Sequence, residues 1–132
     1  VTRGVGRAGT PATTAKLVAR VRDLHTRQPG ASFAIDETIG ALAATGADVL
    51  RGGDWEAAGD LMNINHGLLC ALGVSTLELD HACHIARRTG ALGAKLTGSG
   101  GGGCVFAIAP GREDAILSAW KQRGWPTWAY EL

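Results

Sequence analysis

The sequence contains Gly93-Ala94-Lys95-Leu96-Thr97-Gly98-Ser99-Gly100-Gly101-Gly102-Gly103-Cys104, and this glycine run with an apolar segment on each side decides the fold class. Glycine loses more conformational freedom on folding than any other residue, so ordered glycines in series indicate positive φ angles or a close backbone approach. Successive N–H groups without side chains can also form a concavity that binds phosphate. A flexible loop between two strands is the alternative, although flexible linkers usually carry more serine and other polar residues.

The context of these glycines excludes two common nucleotide motifs. Gly98, Gly100 and Gly103 match G-x-G-x-x-G, but that fingerprint requires a helix after the glycines. The segment 104–109 is instead a short apolar run that stops at Pro110, which is typical of a buried strand. No Gly-Lys-Ser/Thr closes the run, so it is not a Walker A loop. The predicted order of strand, glycine loop and strand leaves any phosphate contact to the loop amides.

The rest of the chain predicts five helices and at least three strands. Apolar residues at helical spacing indicate one helix that opens at Thr10-Pro11, one over about 33–51, and one that Asp54 caps. Ser75-Thr76-Leu77-Glu78 has the pattern of a capping box at the start of the fourth. Because a helical block precedes strand–strand–helix–strand, we predict one α+β domain over residues 1–132, with an antiparallel sheet covered by helices on one face.

Composition narrows the class of protein. The chain has 132 residues, 13 basic and 12 acidic, with a formal net charge of +1 and no Lys/Arg cluster, so we expect neither nucleic-acid nor membrane binding. Cys70, Cys83 and Cys104 each lie in an apolar stretch, which indicates buried thiols in a reducing compartment. Without a signal peptide or a long apolar run, we expect a cytoplasmic protein. The start at Val1 in place of Met suggests a piece of a longer protein.

Histidines and cysteines at helical spacing form a weaker candidate site. His66 and Cys70 lie four residues apart on the third predicted helix, and His81 and His84 lie three apart on the fourth. These pairs are compatible with zinc, but the clustered spacing of structural zinc motifs is absent, and packed or capping histidines fit better. A catalytic Cys–His pair would lack a third, orienting group. We therefore predict no metal site.

Polar residues beside the glycine loop have two interpretations each. Lys95 faces a phosphate or protects an edge strand from pairing. Thr97 and Ser99 give hydroxyls to a phosphate or complete the turn. Thr14 caps the first helix or faces a ligand.

Three segments, in the right order, resemble the GHMP small-molecule kinases. The stretch from Gly93 to Cys104 closely resembles the third, C-terminal motif of that family. Leu61-Met62-Asn63-Ile64-Asn65-His66-Gly67-Leu68-Leu69-Cys70-Ala71-Leu72-Gly73-Val74-Ser75 is similar to the helix and turn before that motif, and Pro11-Ala12-Thr13-Thr14-Ala15-Lys16-Leu17-Val18 to the family's Thr-helix segment. The chain departs at Ala12, where the family often has Arg. The similarity is greatest to the mevalonate kinase branch and covers nearly the whole chain.

The resemblance implies a C-terminal domain that forms one wall of a cleft, with ATP and Mg²⁺ as cofactors and a mevalonate-like hydroxyl compound as substrate. It implies phosphate-loop positions at Gly98, Ser99, Gly100, Gly101, Gly102 and Gly103. It implies substrate contacts at Thr14, Lys95 and Thr97. Because the family's catalytic Asp and Lys and its Mg²⁺ ligands belong to an N-terminal kinase domain, we expect no catalytic residue in this chain and no activity from it alone.

Three alternatives remain at this point. The same domain type serves other family members, such as phosphomevalonate kinases or sugar kinases. A non-catalytic module that binds or senses a small molecule would keep the scaffold without the chemistry. A homodimer is also left open by the sequence.

Overall fold

A computed structural model of the chain describes residues 2–8, 13–98 and 100–131. Within those residues it has five helices and four strands. In chain order these are β1 (Thr2–Ala8), α1 (Thr14–Arg27), α2 (Pro29–Gly52), α3 (Trp55–Ala71), α4 (Leu77–Arg88), β2 (Gly93–Thr97), β3 (Gly103–Ile108), α5 (Glu113–Lys121) and β4 (Thr127–Glu131). The predicted α+β class is confirmed, with helices packed on an antiparallel sheet.

The sheet has the order β2-β3-β1-β4, so the strand nearest the N-terminus lies in its interior. The sequence analysis did not predict β1, which contains Gly4 and Gly6 and shows no alternation of apolar and polar residues. The two glycines make room for the indole of Trp120, because a Cβ on Gly6 would lie 2.8 Å from that ring. Trp120 is fully buried, and its Nε1 donates to the Ala82 carbonyl at 3.0 Å.

Helices α4 and α5 pack on one face of the sheet and supply most of the core. Helix α4 is the last of the four helices between β1 and β2, and α5 lies between β3 and β4. With the strand order β2-β3-β1-β4, this is the split β-α-β arrangement of ferredoxin-like domains. The buried core consists of Ala8, Leu79, Ala82, Cys83, Ala86, Ala94, Leu96, Val105, Ala107, Ala109, Ile116 and Trp120. This core fixes the positions of β2 and β3, and therefore of the loop between them.

Helix α3 covers the outer edge of β2. The Asn63 side-chain oxygen accepts from the Ala94 N–H at 3.1 Å, and the His66 Nδ1 accepts from the Leu96 N–H at 3.2 Å. The helix approaches this closely because a Cβ on Gly59 would lie 2.6 Å from the Leu92 backbone. Because α3 already covers this edge, Lys95 is not needed to protect it.

Helices α1 and α2 lie outside this core. Helix α2 begins with Pro29 in its first turn, where proline is tolerated, and so starts earlier than the predicted boundary near residue 33. Leu17 is the buried residue of α1, and Val18 is 49% exposed. In the described part of the chain, no helix combines the length and the apolar character needed to cross a bilayer.

Candidate functional site

The glycine loop, defined as residues 98–103, has a backbone that other residues rarely adopt. All its described residues have positive φ: Gly98 at 83°, Gly100 at 82°, Gly101 at 68°, Gly102 at 108° and Gly103 at 114°. Ser99 lies outside the described residues. Positive φ places the Cβ of an ordinary residue against the backbone, so the conformation itself explains the run of glycines.

The loop packs on the α3–α4 turn, defined as residues 72–76. The Gly101 N–H donates to the Val74 carbonyl at 2.6 Å, and a Cβ on Gly100 would overlap that same carbonyl oxygen. Across the described ranges, the N–H groups of Gly98, Gly100 and Gly102 donate to no other protein group. Unpaired backbone amides close together in a glycine-rich loop are donors of the kind that an anion such as phosphate needs.

Thr14 and Val74 line the same cavity. A cavity of about 250 Å³ is lined by Thr14, Leu17, Val18, Val21 and Val74. The Thr14 side chain is exposed, and within the described chain its hydroxyl makes no hydrogen bond. Val74 therefore lines the cavity of Thr14 and also accepts a hydrogen bond from the glycine loop.

Thr97 and Lys95 have different surroundings. Thr97 is exposed at the end of β2, directly before the glycine loop. Lys95 lines a second, apolar cavity of about 380 Å³ between α2, α3 and the sheet, whose other lining residues include Leu42, Leu61 and Phe106. Burial lowers the pKa of Lys95, and no ion pair of the described residues involves it. The structure does not bring Lys95 to the cavity of Thr14.

A polar cluster beneath the α3–α4 turn was not predicted from the sequence. One carboxylate oxygen, Asp80 Oδ1, accepts from Ser75 Oγ at 2.6 Å, His66 Nε2 at 3.0 Å and Cys70 Sγ at 3.3 Å. We call Asp80 and these three donors the Asp80 network. The spacing of His66 and Cys70 was visible in the sequence, but the group that orients them, Asp80, comes from the next helix.

Two local predictions about this region are wrong. Thr76, and not Ser75, caps α4, since its hydroxyl accepts from the Leu79 N–H at 3.2 Å. Ser75 is instead free to bind Asp80. Of the three thiols, Cys83 is buried as predicted and Cys104 is half-buried, whereas Cys70 is exposed.

The chemistry of the Asp80 network argues against a metal site. His66, Cys70 and Asp80 have ligand atoms within 4.8 Å of one another. However, His66 Nδ1 accepts the Leu96 N–H, so the ring proton lies on Nε2 and is donated to Asp80. While Nε2 carries that proton, this nitrogen, which faces the cluster, has no lone pair free to bind a cation.

The pKa shifts lead to the same conclusion. Burial lowers the pKa of His66, which keeps the imidazole neutral. Burial and the bond to Asp80 raise the pKa of Cys70, and burial raises that of Cys83 to about 12, so both remain thiols. Burial alone would raise the pKa of Asp80, but the bonds from Ser75, Cys70 and His66 lower it. The network thus has an ionised acceptor surrounded by neutral donors, without a nucleophile.

Comparisons with known proteins agree with this architecture. Residues 39–126 match the family described as GHMP kinases C terminal. The mevalonate kinase of Pyrococcus horikoshii is 45% identical over 125 residues, and that of Pyrococcus abyssi is 43% identical over 125 residues; each match covers 91% of this chain and 37% of the relative. The crystal structure of L. major mevalonate kinase in complex with R-mevalonate has a TM-score of 0.90 and 31% identity, over 98% of this chain and 42% of that one.

The chain spans well under half the length of these relatives. The matched region includes α3, α4 and the glycine loop, which are the elements that build the site. The chain belongs to the family of GHMP kinase C-terminal domains.

Proposed function

We propose that this chain is the C-terminal domain of an ATP-dependent kinase that transfers the γ-phosphoryl group of ATP to the hydroxyl of mevalonate. The observation that supports it most is the glycine loop, in which Gly98, Gly100 and Gly102 have N–H groups without protein partners. Amides in this arrangement bind phosphate oxygens. The choice of mevalonate rests on the names of the Pyrococcus relatives.

Each predicted site residue has a role in this proposal. The loop amides bind beside the ATP phosphates, and Ser99 within the loop adds a hydroxyl. The Thr14 hydroxyl contacts the substrate at the cavity beside Val74. Thr97, exposed at the end of β2, contacts the substrate with its hydroxyl next to the loop. Lys95 remains a predicted contact for an anionic group of the substrate, reached from the second cavity.

The donor set of the loop decides which cofactor this chain can hold. N–H groups fit the phosphates of ATP, but Mg²⁺ takes oxygen ligands, and the glycine loop contains no carboxylate. The Asp80 network presents a ring N–H and a thiol, so it does not suit Mg²⁺ either. When bound, Mg²⁺ neutralises charge on the transferred phosphoryl group. We therefore assign its ligands, and the catalytic acid–base groups, to an N-terminal domain outside this chain.

The test joins this chain to the N-terminal domain of the Pyrococcus horikoshii relative, in place of the relative's own C-terminal part. ADP release is then measured with mevalonate, phosphomevalonate or galactose as the acceptor. We expect activity with mevalonate and none from this chain alone. Activity with a different acceptor would support another kinase of the family. A folded chimera without activity would favour the non-catalytic module.

A binding measurement complements the chimera and does not depend on a domain interface. The ¹⁵N-labelled chain is titrated with a non-hydrolysable ATP analogue, and the amide signals of Gly98, Gly100 and Gly102 are followed by NMR. We expect these signals to shift together and to saturate. Shifts confined to distant helices would contradict phosphate binding by the loop.

The cellular setting is also part of the proposal. The three cysteines are free thiols, which is consistent with a reducing compartment such as the cytoplasm. A homodimer stays a prediction.

A further inference from the structure

Among the described residues, two hydrogen bonds attach the glycine loop and the strand end before it to α3 and to the α3–α4 turn. The first lies where β2 leads into the loop, where the Leu96 N–H donates to His66 Nδ1 at 3.2 Å. The second lies in the middle of the loop, where the Gly101 N–H donates to the Val74 carbonyl at 2.6 Å. Both attachments use an acceptor whose own position has to be fixed, a histidine ring in one case and a turn carbonyl in the other.

The same carboxylate oxygen bonds to one acceptor and to the residue next to the other. Asp80 Oδ1 accepts from His66 Nε2 at 3.0 Å, and it accepts from Ser75 Oγ at 2.6 Å, directly beside Val74. Asp80 itself is held in the first turn of α4, where its N–H donates to the Thr76 carbonyl at 2.9 Å. A single side chain on α4 therefore touches the supports of both loop attachments.

The His66 branch depends on which ring nitrogen carries the proton. While Asp80 accepts from Nε2–H, Nδ1 is free to accept from Leu96. If the charged acceptor at Asp80 is lost, the preference of the proton for Nε2 weakens and rests on the Leu96 bond alone. The other tautomer would then set an Nδ1–H against the Leu96 N–H, which removes the first attachment. His66 is only 5% exposed, so water cannot readily replace the lost bond.

We propose that Asp80 is a positioning residue for the glycine loop, acting through His66 on its first attachment and through the α3–α4 turn on its second. This inference rests on the proposed function, since the consequence for activity is the alignment of the loop amides with ATP phosphates. Among the described residues, the Asp80 side chain bonds to His66, Cys70 and Ser75 and not to the glycine loop. Its expected effect is therefore on ATP and not on the acceptor substrate.

The experiment compares Asp80→Asn with Asp36→Asn in the chimera described above. Asp36 is a matched control because it also accepts from a histidine, His25 Nε2 at 2.5 Å, but lies on α2 away from the loop. For Asp80→Asn we expect KM for ATP to rise about tenfold, the size expected when a charged hydrogen-bond acceptor is replaced by a neutral amide oxygen. KM for mevalonate should change less than about twofold, and Asp36→Asn should resemble the unmodified chimera. An unchanged KM for ATP in folded Asp80→Asn would overturn the proposal.

A spectroscopic readout separates this proposal from the proposed function. In the ¹⁵N-labelled chain, we expect the His66 proton to lie on Nε2. We expect Asp80→Asn to lower the population of this tautomer and to shift the Leu96 and Gly101 amide signals. If the chimera has no kinase activity but these signals move, the function is wrong and the positioning role holds. If activity is present and the signals do not move, the positioning role is wrong.

A milder variant covers the case in which Asp80→Asn does not fold. Ser75→Ala removes one donor to Asp80 and leaves the charge in place, whereas Cys70→Ala removes a donor that supports neither attachment. We expect Ser75→Ala to shift the Gly101 amide and raise KM for ATP, and Cys70→Ala to leave both unchanged. Equal effects of the two variants would contradict the proposal.

Discussion

Two glycines of the loop allow the contribution of local packing to be measured separately from backbone strain. Gly98 and Gly100 have nearly the same φ, 83° and 82°, so an alanine at either position has the same left-handed conformation. Their surroundings differ, because a Cβ on Gly98 would have nothing within 4 Å, whereas one on Gly100 would overlap the Val74 carbonyl oxygen. The difference between Gly98→Ala and Gly100→Ala therefore isolates the contact with the α3–α4 turn.

The expected magnitudes follow from these two terms. A left-handed alanine costs about 1–2 kcal/mol, and the loss of unfolded-state freedom recovers about 0.4–1 kcal/mol of that. We therefore expect Gly98→Ala to lower the free energy of unfolding by about 1 kcal/mol. Gly100→Ala adds an overlap with backbone that has no free rotation, about 1–3 kcal/mol more.

Urea unfolding of the chain, followed by circular dichroism, measures the free energy of unfolding of both variants and of the wild type. The three values are compared at equal m-value. The same two variants in the chimera should rank in the same order for loss of ATP affinity, because displacement of Val74 also breaks the Gly101 attachment. If Gly100→Ala is as stable as Gly98→Ala, the loop does not pack on the turn as described.

Two further predictions concern the scaffold and its pH dependence. Gly6→Ala should lower the free energy of unfolding by about 1–3 kcal/mol, because its Cβ would meet the buried Trp120 ring. Gly40→Ala, in open space on α2, should raise it by about 0.5–1 kcal/mol, and urea unfolding of the two variants should show these opposite signs. The lowered pKa of His66 means that the unfolded chain binds a proton that the folded chain resists, so stability should fall as pH drops below about 6.5, and less so in His66→Gln. The raised pKa of His25 acts in the opposite direction: it adds stability below about pH 6.5 that is lost as the pH rises through the pKa of His25 in the folded chain. Because both proteins keep His25, the free energy of unfolding is measured at pH 7.5 and pH 5.5 for the wild type and for His66→Gln, and the two pH-dependent changes are compared. Equal pH dependence in both would contradict the role of His66.

The parts of the fold that local sequence determines were predictable. The strands on either side of the glycine loop follow from short apolar runs, and Asp54 caps α3 as predicted, since it accepts from the Ala57 N–H at 3.0 Å. Strand β1 was not predictable in this way. Its glycines at 4 and 6 make sense only once Trp120, more than a hundred residues later, is placed over them.

The site shows the same division between local and tertiary information. The glycine loop could be predicted from the sequence because its positive φ angles favour glycine at each described position. The separation of Lys95 from Thr14, and the convergence of His66 and Ser75 on Asp80, depend on how α3 packs along β2 and against α4. Side chains from different elements meet only after folding, so no spacing rule within one helix predicts them.

Both attachments of the glycine loop come from this chain, so the loop conformation does not require a second domain. Hydrogen exchange of the isolated chain tests this directly. The Gly101 amide, bonded to Val74 at 2.6 Å, should exchange slowly, whereas those of Gly98 and Gly102, which have no partner among the described residues, should exchange fast. Uniformly fast exchange across the three would show that the loop becomes ordered only when an N-terminal domain or ATP is present. With the expected pattern, the amides that we propose to bind phosphate are already in place without an N-terminal domain, whose proposed contribution is then limited to the cation and the acid–base chemistry.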